Sequence, residues 1–400
     1  MRADSVKKCL LLGLALCITL GLMEVALRVF YPTKAAFYEL CELLIYRPIA
    51  GATKLFVHPP ENSGERIWVR MNPDGFRGAP LREVGEAIRV VVYGDSCIMG
   101  EFSSVPDTYV QQLEDKLTAE LDQPFEVINA GVTGYGPDQA ILRMQQELST
   151  LQPDLVILAL FAHNDFGDLI RNRMFRLGAD GELKAQEIEL SPDILAEFRR
   201  AQWPILGKYA WLQFERIRAG LLTGGPDPIT HTPTVYKYLW ESDFKDFITG
   251  DVQVTNLLRD YYDADMALAP DAPRSVYKTD LLTALLEKAA NSTRDADVPF
   301  LIVIIPSPVD ICDQFEIQVD RDRHPDYRRA TLTDLMAQSA DEAGVPHLNL
   351  FPTFREQRHQ RLYFGHGDDH WTALGQRIAA RETTDFILDQ LGSKGLRPGG

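Results

Sequence analysis

The chain opens on an apolar stretch. Cys9 to Met23 is an uncharged run of 15 residues, mostly Leu, Gly, Ala and Ile, with Arg2, Lys7 and Lys8 ahead of it. After Glu24 the run resumes as Val25-Ala26-Leu27, then Arg28 and Val29-Phe30-Tyr31. Carried through Phe30 it is about 22 residues, enough helix to cross a hydrocarbon core of roughly 30 Å. A cleaved secretory signal is the competing reading, because the strictly uncharged part is short. No Ala-x-Ala site follows the run, which favours a retained anchor spanning residues 9–30 within a unit 1–31. The basic start puts the N-terminus in the cytoplasm and residues 32–400 outside it, periplasmic or extracellular.

From residue 88 onward the pattern changes to short apolar runs alternating with helical periodicity. Ile88–Tyr93, Phe125–Asn129, Leu155–Leu160, Phe300–Ile305 and His347–Leu350 read as strands. Leu155–Leu160 is apolar throughout, as expected of a strand buried on both faces. Between them Pro106–Leu121, Pro137–Leu148, Val276–Asn291, Ala330–Ala343 and Ala373–Leu391 read as helices. In the first of these, Tyr109, Leu113, Leu117 and Leu121 form one stripe. Strands alternating with helices predict an α/β fold, a doubly wound parallel sheet sandwich. Residues 32–86 read as an irregular segment with turn signals at Pro59-Pro60 and Asn72-Pro73-Asp74-Gly75. Residues 87–391 read as one α/β domain, and 392–400 as a Gly/Pro-ending tail. Residues 167–274 interrupt the rhythm for about 108 residues, too long for a structureless loop, and predict a helical insertion or lid. That stretch holds Trp203, Trp211 and Trp240, with helical segments near Pro192–Phe198 and Gln253–Tyr262.

Composition narrows the partners. Acidic residues number 57 against 41 basic, a net charge of −16, so the chain repels phosphate backbones and nucleic acid is not an expected partner. Five cysteines without a Cys-x-x-Cys pair exclude a disulfide scaffold and a zinc knuckle. Cys41 and Cys312 can pair outside the cytoplasm. The oligomeric state is left open.

Ligands of open parallel sheets bind beyond the carboxyl ends of the strands. Gly94-Asp95-Ser96 follows the first strand, Asn129-Ala130-Gly131-Val132-Thr133-Gly134 the second, and His163-Asn164-Asp165 the third. Gly367-Asp368-Asp369-His370-Trp371 follows the fifth. Together they offer a hydroxyl, backbone amides, a side-chain amide and an Asp/His pair, the groups needed for acyl transfer through a serine. In this order the set resembles the SGNH (GDSL-type) hydrolase superfamily, over roughly residues 88–165 and 298–391. The resemblance implies the flavodoxin-like fold of that superfamily, Ser96 as nucleophile, and an oxyanion hole made by Ser96, Gly134 and Asn164. It makes Asp368 and His370 the rest of a catalytic triad. The segment Asn72-x-x-Gly75-Phe76-Arg77-Gly78 also looks like one found upstream of the serine in membrane-anchored members. Two positions depart from the family pattern. Ala162 or His163 replaces the glycine of the third block, and the last block reads Asp-x-His, the form that occurs in the polysaccharide O-acetyltransferase branch.

Serine is a weak nucleophile unless a base takes its proton, the role that falls to His370. In an extended segment positions 368 and 370 share a side. Asp368 is therefore expected to orient the imidazole, and Asp369 to point away and cap the helix near Ala373. The Gly-x-Ser-x-Gly elbow of other hydrolases is absent, since position 98 is Ile. His366, Asp368, Asp369 and His370 have the donor types of a metal site. No second cluster follows another strand, so neither metal nor cofactor is expected. His163 reads as a rim or capping residue, and His58, His231, His324, His347 and His359 as surface or packing. The expected function is a membrane-anchored serine esterase removing acyl groups, acetyl foremost, from an envelope glycan or small ester. The alternatives are an O-acyltransferase with the same triad and a non-catalytic glycan-binding envelope protein.

Overall fold

Four apolar segments carry hydrophobic residues on both faces and pair side by side, and a short half-buried segment, His347–Asn349, joins them at one edge. The computed structural model describes residues 2–30, 36–60, 62–187, 190, 192–222, 262–315, 318–365 and 368–395. The strands are β1 (Ile88–Gly94), β2 (Phe125–Gly131), β3 (Leu155–Ala162), β4 (Phe300–Pro306) and β5 (His347–Asn349). They form one parallel sheet in the order β5-β4-β3-β1-β2. Its helices and their neighbours are α1 (Arg2–Phe30), α2 (Ser96–Met99), α3 (Tyr109–Leu121), α4 (Pro137–Leu151) and α5 (Asp165–Asn172). They continue as α6 (Pro192–Ala201), α7 (Ile205–Leu222), α8 (Pro273–Asp295), α9 (Thr331–Glu342) and α10 (Ala373–Gly395). Successive strand residues point to opposite faces. Val91, Tyr93 and Ile128 pack with α4, α8 and α9, whereas Val90, Val92 and Ile157 pack with α3 and α10. The fold is the doubly wound α/β sandwich that the alternation predicts. The chain lays β2 on one side of β1 and then crosses to β3 on the other. That reversal opens a crevice at the carboxyl ends of β1 and β3.

Two regions differ from expectation. Residues 32–86 contain two antiparallel hairpins, Tyr38–Cys41 with Ile45–Pro48 and Thr53–Val57 with Arg66–Arg70. A lone hairpin is marginal in water. These are supported from below: Ile67, Val69 and Met71 pack on Met99 at the end of α2. The predicted insertion 167–274 also gives up both its ends to the main core. Leu169 and Ile170 of α5, with Tyr262, Ala264 and Met266, pack in the same cluster as the sheet. Between them a short hairpin (Phe175–Leu177 with Leu183–Ala185), α6 and α7 are described. Trp240 and all of the predicted helix Gln253–Tyr262 except its last residue lie outside the described residues.

Helix α1 is 29 residues long and exposes its apolar side chains. It is long and apolar enough for a membrane anchor or a signal. Glu24, the one acid in the run, pairs with Arg28 at 2.9 Å and accepts the Ile205 and Leu206 N–H groups at 2.9 and 3.0 Å. It thus satisfies two of the orphan donors that open α7. Cys41 and Cys312 are free thiols in this structure.

Candidate active site

Ser96 opens the single turn α2 at the end of β1 and is 9% exposed. Asp95 caps that turn by accepting the Cys97 N–H at 2.9 Å. The turn lies hard against β2. A Cβ on Gly131 would stand 2.3 Å from the Met99 nitrogen, so only glycine lets the two backbones approach. Carbonyls left open at the end of so short a helix need outside donors. Asn129 Nδ2 donates to Ile98 O at 2.7 Å and Trp371 Nε1 to Cys97 O at 3.1 Å. Arg77 donates to Met99 O and Ser103 O, each at 2.6 Å. The loop that presents Arg77 is itself wound around Asn72, whose Oδ1 accepts the Asp74 and Phe76 N–H groups, both at 2.9 Å. The upstream Asn72–Gly78 segment is therefore a staple on the serine turn. Burial lowers the Arg77 guanidinium to about 10 against the pull of Glu101.

His370 reaches Ser96 from an antiparallel hairpin of β6 (Tyr363–Gly365) and β7 (Asp368–Trp371). Its Nε2 lies 2.8 Å from Ser96 Oγ, and its Nδ1 lies 2.9 Å from Asp368 Oδ1. With the Nδ1 hydrogen given to Asp368, Nε2 presents its lone pair to the serine hydroxyl. Asp368 Oδ1 also accepts the His370 backbone N–H at 3.1 Å, which fixes the carboxylate. The Phe102 ring stacks on the imidazole with centroids 3.8 Å apart. His58 holds that phenylalanine in turn, its Nε2 2.7 Å from Phe102 O. His58 is a support the sequence did not reveal, because a lone histidine 44 residues upstream carries no pattern.

Asp369 does not point away. Its Oδ1 is 3.3 Å from His370 Nδ1 and its Oδ2 is 3.1 Å from His163 Nε2. Near the head of α10, Thr372 Oγ1 instead accepts the Gly375 N–H at 3.4 Å. The strict alternation assumed for positions 368–370 fails because the hairpin's register shifts between its two ends. His163 is fully buried rather than a rim or capping residue. Burial works against a charge on His370, but Asp369 and Asp368, and more weakly Asp95, outweigh it and raise the imidazole to about 9. Burial also pushes the Asp95 carboxyl up to about 6, against the Cys97 N–H that favours its ionised form.

Gly134 and Asn164 follow the two strands that flank β1. Gly134 adopts φ 80°, the left-handed region that suits glycine. Val132 N donates to Gly94 O at 3.0 Å, tying this turn to the strand that delivers Ser96. Arg171 donates to Gly134 O at 2.6 Å and is itself paired with Asp168 at 2.7 Å. Asn164 caps α5, its carbonyl accepting the Asp168 N–H at 2.8 Å. The fold thus joins Ser96, His370 and Asp368 in one hydrogen-bonded line. It sets Gly134 and Asn164 at the same edge of the sheet. Asp368, Asp369 and His370 form a group with ligand atoms within 4.8 Å of one another. The His370 nitrogens are already engaged with Ser96 and the carboxylates, so the arrangement suits proton transfer better than metal binding. His366 lies outside the described residues.

Residues 271–399 match the family described as "SGNH hydrolase-like domain, acetyltransferase AlgX". Over that stretch the chain is similar to an SGNH hydrolase-like domain. The matched stretch includes Asp368 and His370 but begins after Ser96. Similar solved structures include a lipase/acylhydrolase from Enterococcus faecalis, at 11% identity and TM-score 0.37, covering 78% of this chain and 98% of that one. An acetyl xylan esterase, AlAXEase, is 12% identical with TM-score 0.35, covering 75% of this chain and 100% of that one. The psychrotrophic esterase EstA from Pseudoalteromonas sp. is 15% identical with TM-score 0.35, covering 76% and 98%. No curated protein matches the sequence. The match points to acyl chemistry, hydrolysis or transfer.

Proposed function

We propose that this chain is a membrane-anchored serine esterase that removes acyl groups, acetyl foremost, from an envelope glycan or a small ester. The observation that carries the reading is the line from Ser96 Oγ through His370 to Asp368, with links of 2.8 and 2.9 Å. His370 Nε2 takes the serine proton as Oγ bonds to the acyl carbon, and Asp368 stabilises the imidazolium that forms. The Ser96 and Gly134 amides and the Asn164 side chain meet the developing oxyanion, each donor worth about 10²–10³-fold in kcat. Collapse breaks the bond to the alcohol, which leaves with the proton from Nε2, and an acyl-Ser96 ester remains. Water then attacks that ester by the same steps in reverse and frees the acid. Residues 9–30 hold the enzyme in the membrane, with the N-terminus cytoplasmic and the catalytic domain on the outer side.

An O-acyltransferase is the second reading, and the Asp-x-His-Trp block together with the match to an acetyltransferase-related domain favours it. It shares the acyl-Ser96 ester and differs only in that a sugar hydroxyl, not water, attacks it. Full-length protein in detergent, given an activated acetyl ester and increasing sugar acceptor, separates the two. Hydrolysis unchanged by sugar supports the esterase, and acetylated sugar formed at water's expense supports the transferase. Absence of both reactions, with no covalent labelling by a fluorophosphonate, contradicts either.

A further inference from the structure

Behind His370 stands a second histidine that the mechanism above does not use. Asp369 lies between the two rings, Oδ1 3.3 Å from His370 Nδ1 and Oδ2 3.1 Å from His163 Nε2. The side chain of Asp369 is 26% exposed, with room to turn toward water, whereas the His163 ring is fully buried. The His163 ring lies nearly parallel to Phe161, with centroids 5.3 Å apart and planes at 18°. Its Nδ1 lies 2.9 Å from Ser307 Oγ. A carboxylate oxygen only accepts, so in the contact with Asp369 the hydrogen sits on His163 Nε2, and Nδ1 accepts from Ser307 Oγ, which itself accepts the Val309 N–H at 3.1 Å. A fixed donor on a buried ring thus aims a carboxylate at the outer nitrogen of the general base.

We propose that His163 is a positioning residue that acts through Asp369, holding a second carboxylate against His370 and so stabilising the imidazolium formed as Ser96 attacks. This rests on the reading of Ser96 and His370 as nucleophile and base. Asp368 supplies the directional hydrogen bond, and Asp369, a few tenths of an ångström further out, supplies charge. Among the described residues, Ser96, Asp368, Asp369 and Asp95 face His370, and Asp369, Ser307 and Tyr262 are among those that face His163. Of these, only Asp369 touches both rings.

The test uses full-length protein in detergent with an activated acetyl ester, and compares His163→Phe, His163→Gln, Asp369→Asn and the His163→Phe/Asp369→Asn double variant. Phe keeps the ring volume against Phe161, and Gln keeps a donor for Asp369. His163→Phe should lower kcat about tenfold, the loss of one charge-assisted contact, with KM unchanged. Its acid limb in kcat/KM should move to lower pH as the Asp369 charge swings away from His370. His163→Gln should recover most of kcat, and the double variant should be no slower than Asp369→Asn alone, because the two changes break one path. A folded His163→Phe protein with unaltered kcat and pH limb would overturn the proposal, as would losses that multiply in the double variant. If His163→Phe does not fold, His163→Leu takes its place: an unchanged kcat and limb overturn the proposal, and a loss in both that Asp369→Asn does not deepen supports it. Failure of the unaltered protein to label at Ser96 with a fluorophosphonate would overturn the underlying site reading as well. Labelling with no effect of the variants overturns only the role of His163.

Discussion

His370 stands between two opposing influences. Burial strips water from the ring and disfavours its charge, while the carboxylates of Asp369, Asp368 and Asp95 favour it, and the carboxylates win, raising it to about 9. Only the neutral ring can accept the serine proton. The acid limb of kcat/KM should therefore lie above 6.5, the ordinary imidazole value, and toward 9, as a pH–rate profile on an activated ester will show. A limb at or below 6.5 would mean that the carboxylates do not govern the ring. The same shift has a stability consequence. Because the folded value exceeds the unfolded one, this group's contribution is complete below about pH 6.5 and fades as pH rises through 9. Asp368→Asn should lower kcat by up to about 10⁴-fold by favouring the wrong tautomer, and a folded variant with less than a tenfold loss would remove Asp368 from the mechanism. The grouping of Ser96, His370 and Asp368 was legible in the sequence because each stands in a recognisable block. Asp369, His163 and His58 were not. Their contacts cross up to 306 positions of sequence, His58 against Phe364, and no local period encodes which way a side chain in an irregular hairpin turns.

At the scale of elements, the serine turn depends on a close approach that sequence hints at only by a glycine. Gly131→Ala places a carbon 2.3 Å from the Met99 nitrogen, and the obstacle is backbone, which cannot rotate aside. Overpacking of this kind costs about 1–3 kcal/mol, and here the strain falls on the turn that carries Ser96. The variant should lose thermal stability and, in the surviving folded fraction, react more slowly with a fluorophosphonate. An unchanged melting temperature and labelling rate would show that the turn has slack. Four of the core strands were readable from their apolar runs and the sheet helices from their stripes. The hairpins in residues 32–86 were hidden, because strands of four or five residues hardly establish a period of two, although the burial of Ile67 and Val69 between exposed Arg66, Trp68 and Arg70 follows it once seen. The ends of the 167–274 stretch were assigned to an insertion because nothing in their sequence announces that Leu169 and Met266 join the sheet's own core.

Across the whole molecule, the sheet reversal gathers distant segments at one edge, and the upstream segment closes them in. Arg77 staples the turn at Met99, and Asn62 Nδ2 donates to Gly365 O at 2.9 Å on the hairpin that carries His370. Helix α1 is joined to the same body through Glu24 and the start of α7. As a retained anchor it should keep the full chain in the membrane fraction, and a reporter active only outside the cytoplasm, fused after residue 40, should be active. A soluble, shortened product would show a cleaved signal instead. If the edge gathered by the sheet is a serine active site, Ser96 is the residue that a covalent serine reagent must find. The full-length protein is reacted with a fluorophosphonate and the modified peptide is mapped. The account predicts one covalent adduct, on Ser96, that disappears in folded Ser96→Ala. An adduct on another serine, or none on the folded protein, would contradict it.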